Sequence, residues 1–146
     1  MKKLISVNKN ANTTNIALLI ARIAIAALML THGLPKLMMF FSPAPIQFPP
    51  IFGLTPGLSL GLAVFAEVFC SIFLLAGFVT RLSVIPLAIT MLVAVTSIHQ
   101  ADPFAKKELA IFYLVGYIVL FIAGSGKFSI DYLLQRKQLK TAVAHK

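Results

Sequence analysis

The chain has 146 residues, of which 59% are hydrophobic and 12% are charged, and its formal net charge is +9. A soluble domain carries charge on about 25% of its residues, so this composition excludes an ordinary soluble protein and indicates a membrane protein. The basic residues cluster at the two termini without interleaved aromatic side chains, which argues against a nucleic-acid-binding surface. The expected fold class is one small all-α domain embedded in lipid.

Four apolar segments account for most of the chain. A helix that crosses a bilayer needs about 20 apolar residues. The segments that reach or approach this length are Ile16–Leu37, Leu58–Phe78, Leu82–Ile98 and Leu109–Ala123. We therefore predict a membrane-embedded four-helix bundle with up-down topology over residues 16–134. A polar lead-in is expected at residues 1–15 and a basic tail at residues 135–146.

The connection between the first two segments, Phe41–Pro56, is apolar and contains five prolines. Irregular backbone is not exposed to lipid inside the hydrocarbon region. We therefore expect this connection to lie on the outer interface or to re-enter it.

The distribution of Lys and Arg predicts the orientation of the bundle. An even number of spans places both termini on one side of the membrane. That side carries nine basic residues, namely Lys2, Lys3, Lys9, Arg81, Lys127, Arg136, Lys137, Lys140 and Lys146, and the other side carries three, namely Lys36, Lys106 and Lys107. Because cytoplasmic segments hold the excess of Lys and Arg, we expect a multi-pass protein of the bacterial cytoplasmic (inner) membrane with both termini in the cytoplasm.

Glu67 is the only charged residue between Gly57 and Phe78. An ionisable residue at this depth faces the interior of a bundle and pairs with another group, or it stays neutral. Two partners remain open from the sequence. Pairing with Arg22 of the first segment would make Glu67 part of the architecture, whereas pairing with the outer histidines would make it part of a proton-active pocket.

Six polar residues from the four helices and their loops fall in the outer half of the bundle when depth is counted at about 1.5 Å per residue. They are His32, Lys36, Glu67, His99, Asp102 and Glu108. We predict that they converge on one ligand or proton pocket. Simpler roles stay open: Lys36 at the lipid headgroups, Glu108 at a helix N-terminus, His32 as a packing residue, and His99 with Asp102 as caps.

A second polar group falls near the cytoplasmic ends of the helices. Its members are Arg22, Arg81 and Asp131, with Lys127 close by. Opposite charges at similar depth favour a structural ion-pair cluster that holds the helix ends together.

The chain brings no electron carrier of its own. Its single cysteine, Cys70, excludes a CxxC relay within the chain and is expected to be a buried packing residue. There is also no CxxCH haem motif, no set of iron–sulfur cysteines and no GxGxxG loop. No covalently bound cofactor is therefore expected.

Three blocks follow one another along the chain: Arg22 followed by THGLPKL with His32 and Lys36; Glu67 followed by LLAGFVTR; and Glu108 in KELAIFYLVGY followed by GSGKFSID. Together they resemble the DoxX family of small four-helix membrane proteins. The resemblance covers Ile16 to Leu134 and implies the four-helix fold.

The family takes its name from a subunit associated with thiosulfate:quinone oxidoreductase, and the resemblance implies a redox-associated accessory protein. The first hypothesis is a quinone-facing subunit, in which His32 and His99 donate hydrogen bonds, Glu67 passes protons and electrons come from a partner protein. The resemblance also implies a soluble redox or peptide-modifying partner.

Two further hypotheses are kept. The bundle is a non-catalytic anchor or carrier that binds lipid or a soluble enzyme, with a homo-oligomer as one possible assembly. Alternatively, His32, His99, Asp102 and Glu108 hold a metal ion, although their spacing matches no tight ligand motif, and no metal site is predicted.

Overall fold

The computed structural model describes residues 11–144. Within them the chain forms five helices and no strand, which confirms the all-α prediction. The helices are α1 (Ala11–Phe40), α2 (Pro56–Ala76), α3 (Thr80–Ile98), α4 (Phe104–Ala123) and α5 (Ile130–Ala144). Four of the basic residues behind the orientation prediction, Lys2, Lys3, Lys9 and Lys146, lie outside the described residues.

The surface of the helices is that of a membrane protein. By length and composition, α1, α2 and α3 can each cross a bilayer. The 20-residue α4 is also apolar beyond its first turns, which contain Lys106, Lys107 and Glu108. Large apolar side chains such as Ile20, Leu62 and Phe112 are exposed, whereas Arg22 and Glu67 are buried. This inverted arrangement suits lipid as the surrounding solvent.

Helix α1 is longer than its apolar segment predicts. Its 30 residues give a length of about 45 Å at about 1.5 Å per residue, against a hydrocarbon core of about 30 Å. The residues from Ala11 to Asn15, predicted as part of the lead-in, are helical. At the other end of the chain, α5 runs through position 135, where the tail was expected to begin.

Two short stretches of π-helix interrupt the longer helices. They are Phe65–Cys70 within α2, which contains Glu67, and Ala94–Ile98 at the end of α3. A π turn accommodates one more residue per turn than regular α-helix and is frequent at functional sites. Nothing in the apolar periodicity of the sequence indicates them.

The first four helices pack around a shared apolar core. Its buried members are Ala26 and Met29 from α1, Cys70 and Leu74 from α2, Val84, Leu87 and Met91 from α3, and Ala110, Tyr113, Tyr117 and Leu120 from α4. Helix α1 approaches α2 closely at Gly33, where a Cβ atom would lie 2.9 Å from the backbone carbonyl of Glu67. Only glycine permits this contact.

The turn between α2 and α3 is held by Asp131 at the start of α5. Gly77 ends α2 in a left-handed conformation with φ of 68°, and Val79 is also left-handed with φ of 47°. The Asp131 carboxylate accepts hydrogen bonds from the backbone N–H groups of Val79 (2.7 Å) and Thr80 (3.0 Å). These bonds stabilise a backbone conformation that a β-branched residue rarely adopts.

The first four helices have two ends, here called the tail end and the cavity end. The tail end is where α5 begins and where the side chain of Asn15, near the start of α1, accepts a hydrogen bond from the Lys127 backbone at 2.9 Å. The cavity end is where α1 ends and α2 begins.

Candidate functional site

Glu67 is almost completely buried and pairs with Lys36. The Lys36 ammonium donates a hydrogen bond to Glu67 Oε1, and the carboxylate side chain is 1% exposed. Lys36 itself keeps 29% of its side chain exposed. The pair joins α1 to the π turn of α2. Of the two partners that the sequence left open for Glu67, neither Arg22 nor a histidine takes this position.

Arg22 is directed toward the tail end instead. Its guanidinium donates hydrogen bonds to the carbonyl oxygens of Ser125 (2.5 Å) and Phe128 (2.6 Å). A Cβ atom at Gly77 would lie 2.7 Å from this guanidinium, so the glycine leaves room for it. Arg22 therefore fastens α1 to the α4–α5 connection.

A polar cavity of about 230 Å³ opens beside the Lys36–Glu67 pair. The predicted site residues that line it are His32, Lys36, Glu67 and His99, and the lining is completed by Met29, Met91, Ala94, Lys106, Leu109, Ala110 and Tyr113. All four core helices contribute. Four of the six residues predicted to converge thus come together, and they do so around a pocket that also holds two methionines and a tyrosine.

Tyr113 lines the cavity and was not predicted from the sequence. It is 4% exposed, and its ring meets the His32 ring edge-on with centroids 6.0 Å apart. Tyr113 and Tyr117 lie four positions apart in α4 and therefore on one face, with stacked rings 6.1 Å apart. That spacing was a usable signal, because tyrosine hydroxyls in an apolar helix need polar partners.

Asp102 acts from the α3–α4 loop and does not line the cavity. It accepts hydrogen bonds from His99 Nδ1 (2.8 Å) and Lys106 Nζ (3.3 Å), both of which belong to cavity-lining residues. The hydrogen bond with His99, followed by that with Lys106, lowers the pKa of Asp102 below its ordinary value of 3.8. The loop carboxylate thus positions two cationic or hydrogen-bonding groups at the mouth of the cavity.

Glu108 is exposed on α4 and does not reach the cavity. Within residues 11–144, no three side chains of His, Cys, Asp or Glu are close enough together to hold a metal ion. The four residues of the metal hypothesis are therefore divided between the cavity wall, the loop and the surface.

An apolar cavity of about 290 Å³ lies on the other side of the ion pair. It shares Lys36, Glu67 and Ala94 with the polar cavity. Its remaining lining comes from α2 and α3 and from the proline-rich connection, which contributes Phe48, Ile51, Phe52 and Leu54. The Phe48 ring centroid lies 5.9 Å from Lys36 Nζ, within the range of a cation–π contact. The connection therefore folds back over the helices and forms one wall of this cavity.

The second predicted polar group lines a cavity of about 730 Å³ at the tail end, with Arg81, Lys127 and Asp131 in its wall. Arg81 donates to the Ile122 carbonyl at 3.3 Å, and Asp131 caps α3 as described above. Among the described residues, ion pairs form at Lys36–Glu67, His99–Asp102 and Lys106–Asp102. Arg22, Arg81 and Asp131 thus bond to backbone atoms instead of to one another.

Part of the chain matches a known protein family. A family model described as DoxX matches residues 17–100, which is more than half of the chain. The match includes the residues of the first two sequence blocks and His99, and it ends before α4. No curated protein and no solved structure matches the chain.

Proposed function

Since the chain belongs to the DoxX family, we propose that it is an accessory membrane subunit of a redox system that binds a quinone or a similar small hydrophobic molecule beside Glu67. The observation that carries the proposal is the position of the Lys36–Glu67 pair between an apolar cavity and a polar one. A quinone has an apolar ring and tail and two carbonyl oxygens, and it needs both environments at once.

The apolar cavity suits the hydrophobic part of such a ligand. Phe48, Phe52 and Leu62 give it a wall of aromatic and aliphatic groups, and its volume of about 290 Å³ accommodates a ring and the start of a tail. A carbonyl oxygen at the inner end would then lie next to the Lys36 ammonium, which is the nearest strong hydrogen-bond donor.

The polar cavity suits proton exchange. Reduction of a quinone to a hydroquinone consumes two electrons and two protons, one proton for each carbonyl oxygen. Lys36, His32 and Tyr113 carry exchangeable protons, and Glu67 balances a positive charge next to them. Because the chain has a single cysteine and no haem motif, the electrons come from a partner redox protein.

We also propose that α1 to α4 form an up-down four-helix bundle in the bacterial inner membrane, with both termini in the cytoplasm. This arrangement is supported by the hydrogen bond between Asn15 and Lys127, which joins the start of α1 to the connection after α4 at the tail end. That end also carries Arg81, Arg136 and Lys140, whereas Lys36, Lys106 and Lys107 lie at the cavity end. This asymmetry favours a cytoplasmic tail end.

The test compares two glutamate variants, because Glu67 and Glu108 are the two glutamates of the chain. The protein is purified in mild detergent, solvent-extracted quinone is quantified, and a short-chain quinone is titrated. Glu67→Gln is expected to weaken binding by about tenfold or more, because Lys36 loses the carboxylate that holds its ammonium in place for a charge-assisted hydrogen bond to the ligand carbonyl. Glu108→Gln, on the exposed face of α4, is expected to bind like the wild type. Absence of retained quinone together with equal titrations for all three proteins would overturn the proposal.

A non-catalytic carrier or anchor is the second candidate. It is favoured by the ion pair itself, since Lys36 and Glu67 already pair with each other without a redox ligand. In this alternative the apolar cavity holds a lipid chain, and a soluble enzyme docks elsewhere. Mass spectrometry of the same extract separates the two functions: a stoichiometric acyl lipid with no quinone supports the carrier.

A further inference from the structure

Three buried polar atoms beneath the polar cavity have no hydrogen-bond partner. They are Glu67 Oε2, Ser71 Oγ and the Tyr117 hydroxyl. Each belongs to a residue that is at most 1% exposed. Buried polar atoms in folded proteins are almost always paired, and where protein atoms do not pair them, ordered water does.

Helix spacing places Ser71 and Tyr117 at a similar depth beneath Glu67. Ser71 follows Glu67 by four positions in α2, and Tyr117 follows Tyr113 by four positions in α4, so each pair shares a helix face. Glu67 and Tyr113 line the polar cavity, which places Ser71 and Tyr117 one turn deeper toward the tail end. Tyr117 also lies within electrostatic reach of both Tyr113 and Glu67.

We propose that an ordered water site extends the polar cavity inward, with water bonded to Glu67 Oε2, Ser71 Oγ and the Tyr117 hydroxyl. The two hydroxyls donate through this water to the carboxylate oxygen that Lys36 leaves free. Tyr117 and Ser71 are thus positioning residues, which act on Glu67 through water and do not touch the ligand.

An apolar layer closes the water site on its inner side. Leu74 lies three positions beyond Ser71, and Leu120 lies three positions beyond Tyr117, both toward the tail end. Together with Ala26 and Leu87 they belong to the core cluster, and each is at most 1% exposed. The next polar group along α1 is Arg22, whose hydrogen bonds go to the tail-end carbonyls.

The water site therefore has no continuation toward the tail end. Protons reach Glu67 from the cavity end and leave toward the cavity end, and none cross to the tail end. This direction of proton movement rests on the proposed function, in which the polar cavity exchanges protons with the ligand. The water site itself does not depend on that function.

The water site is tested first by hydroxyl-radical footprinting of the full chain in lipid nanodiscs. Radicals generated by a brief X-ray pulse modify side chains that touch bound or bulk water. The chain has three tyrosines: Tyr113 in the cavity wall and Tyr132 near the tail end serve as positive controls, and Tyr117 is the probe. Tyr117 is expected to be labelled despite its burial. An unlabelled Tyr117 beside labelled controls would overturn the proposal.

The second measurement follows Glu67 by infrared spectroscopy with 13C-labelled glutamate in a Glu108→Gln background, where Glu67 is the sole glutamate. Tyr117→Phe and Ser71→Ala remove the proposed donors and are expected to shift the Glu67 carboxylate band, whereas Tyr132→Phe leaves it in place. An unchanged band in both donor variants contradicts the water site. A failed quinone titration with a labelled Tyr117 would count against the proposed function alone.

Discussion

The Lys36–Glu67 pair concentrates the electrostatics of the site in two side chains with unequal environments. Glu67 is fully enclosed, whereas Lys36 retains partial contact with the exterior. Removing Glu67 and removing Lys36 therefore have different consequences for the residue that remains. A lysine without its partner extends its flexible stem toward the interface, but a glutamate without its partner stays buried among apolar groups.

This asymmetry predicts the outcome of a double-mutant cycle. Lys36→Met is expected to destabilise the protein by about 3 kcal/mol, because it leaves a buried carboxylate unpaired. Glu67→Gln is expected to cost less, and the double variant is expected to be more stable than Lys36→Met alone. The measurement is unfolding by denaturing detergent, monitored by circular dichroism.

Simple additivity of the two single effects would contradict the pairing. A matched control is Lys107→Met, since Lys107 donates to the Gln100 carbonyl at 2.8 Å and does not contact a carboxylate.

At the scale of residues, the sequence predicted that Glu67 needs a partner but not which one. Depth along a helix axis can be counted from the sequence, and it placed Arg22 and the outer histidines within possible reach. Rotation about the axis could not be fixed, because α1 is apolar around most of its circumference. Lys36 and Arg22 are 14 positions apart in α1. Lys36 pairs with Glu67 near the cavity end, whereas Arg22 bonds to carbonyl oxygens at the tail end.

At the scale of helices, the close approach of α1 to the π turn of α2 sets the position of Glu67. The contact requires the missing side chain at Gly33, which faces the Glu67 backbone and the Val68 side chain. Any increase in the distance between Gly33 and the α2 backbone would displace Glu67, because the carbonyl at this contact is that of Glu67 itself. The helix pair and the ion pair are therefore linked through one glycine.

Gly33→Ala is expected to destabilise the protein by about 1–3 kcal/mol, the usual cost of overpacking a tight core. It is also expected to weaken ligand binding by displacing Glu67. Gly57→Ala is the matched control, because a Cβ atom there meets only the end of Ile46 at 3.6 Å. Thermal unfolding and the quinone titration check both effects, and equal stability of the two variants would refute the role of Gly33.

The loop between α3 and α4 predicts a pH dependence. His99 and Lys106 stabilise the ionised form of Asp102, so its pKa in the folded state lies below the ordinary value of 3.8. A carboxylate with a lowered pKa contributes stability above its ordinary value, and this contribution is lost as the pH falls through the folded-state value.

The check compares melting temperatures of the wild type and Asp102→Asn as a function of pH. The wild type is expected to melt higher than the variant at pH values above the ordinary carboxyl pKa of 3.8, and the difference is expected to shrink as the pH falls below that value. A difference that grows on acidification would show that Asp102 acts in another way.

The sequence predicted the positions of the helices but not the π turns within them. Apolar runs of sufficient length located all four core helices to within a few residues at most ends. The π turns escaped because they depend on packing: the turn at Phe65–Cys70 lies against Gly33 of a helix far away in sequence. Tyr117 and Ser71 were not predicted from the sequence for a related reason, since a single hydroxyl-bearing residue in an apolar segment looks like an ordinary packing residue.

At the scale of the whole molecule, orientation is accessible to a direct experiment because the chain has one cysteine, which is buried. In a Cys70→Ser background, Gln47→Cys lies in the proline-rich connection and Arg136→Cys lies in α5. A membrane-impermeant maleimide added to intact spheroplasts is expected to label position 47 at once and position 136 only after lysis. The reverse pattern would invert the proposed topology.

The wall of the apolar cavity has a consequence for how affinity is measured. Leu62, Ile89 and Ile98 line the cavity and are also exposed on the outside of the helices, where lipid lies. Under the proposed function, we expect a ligand to arrive sideways from the bilayer, in which it is dissolved, and its occupancy to follow its mole fraction in lipid instead of its concentration in water. Two hydrophobic molecules with equal contacts to the protein will then fill the cavity in proportion to their abundance in the membrane. The lipid composition would then influence which molecule occupies the cavity, in addition to the contacts that the side chains make.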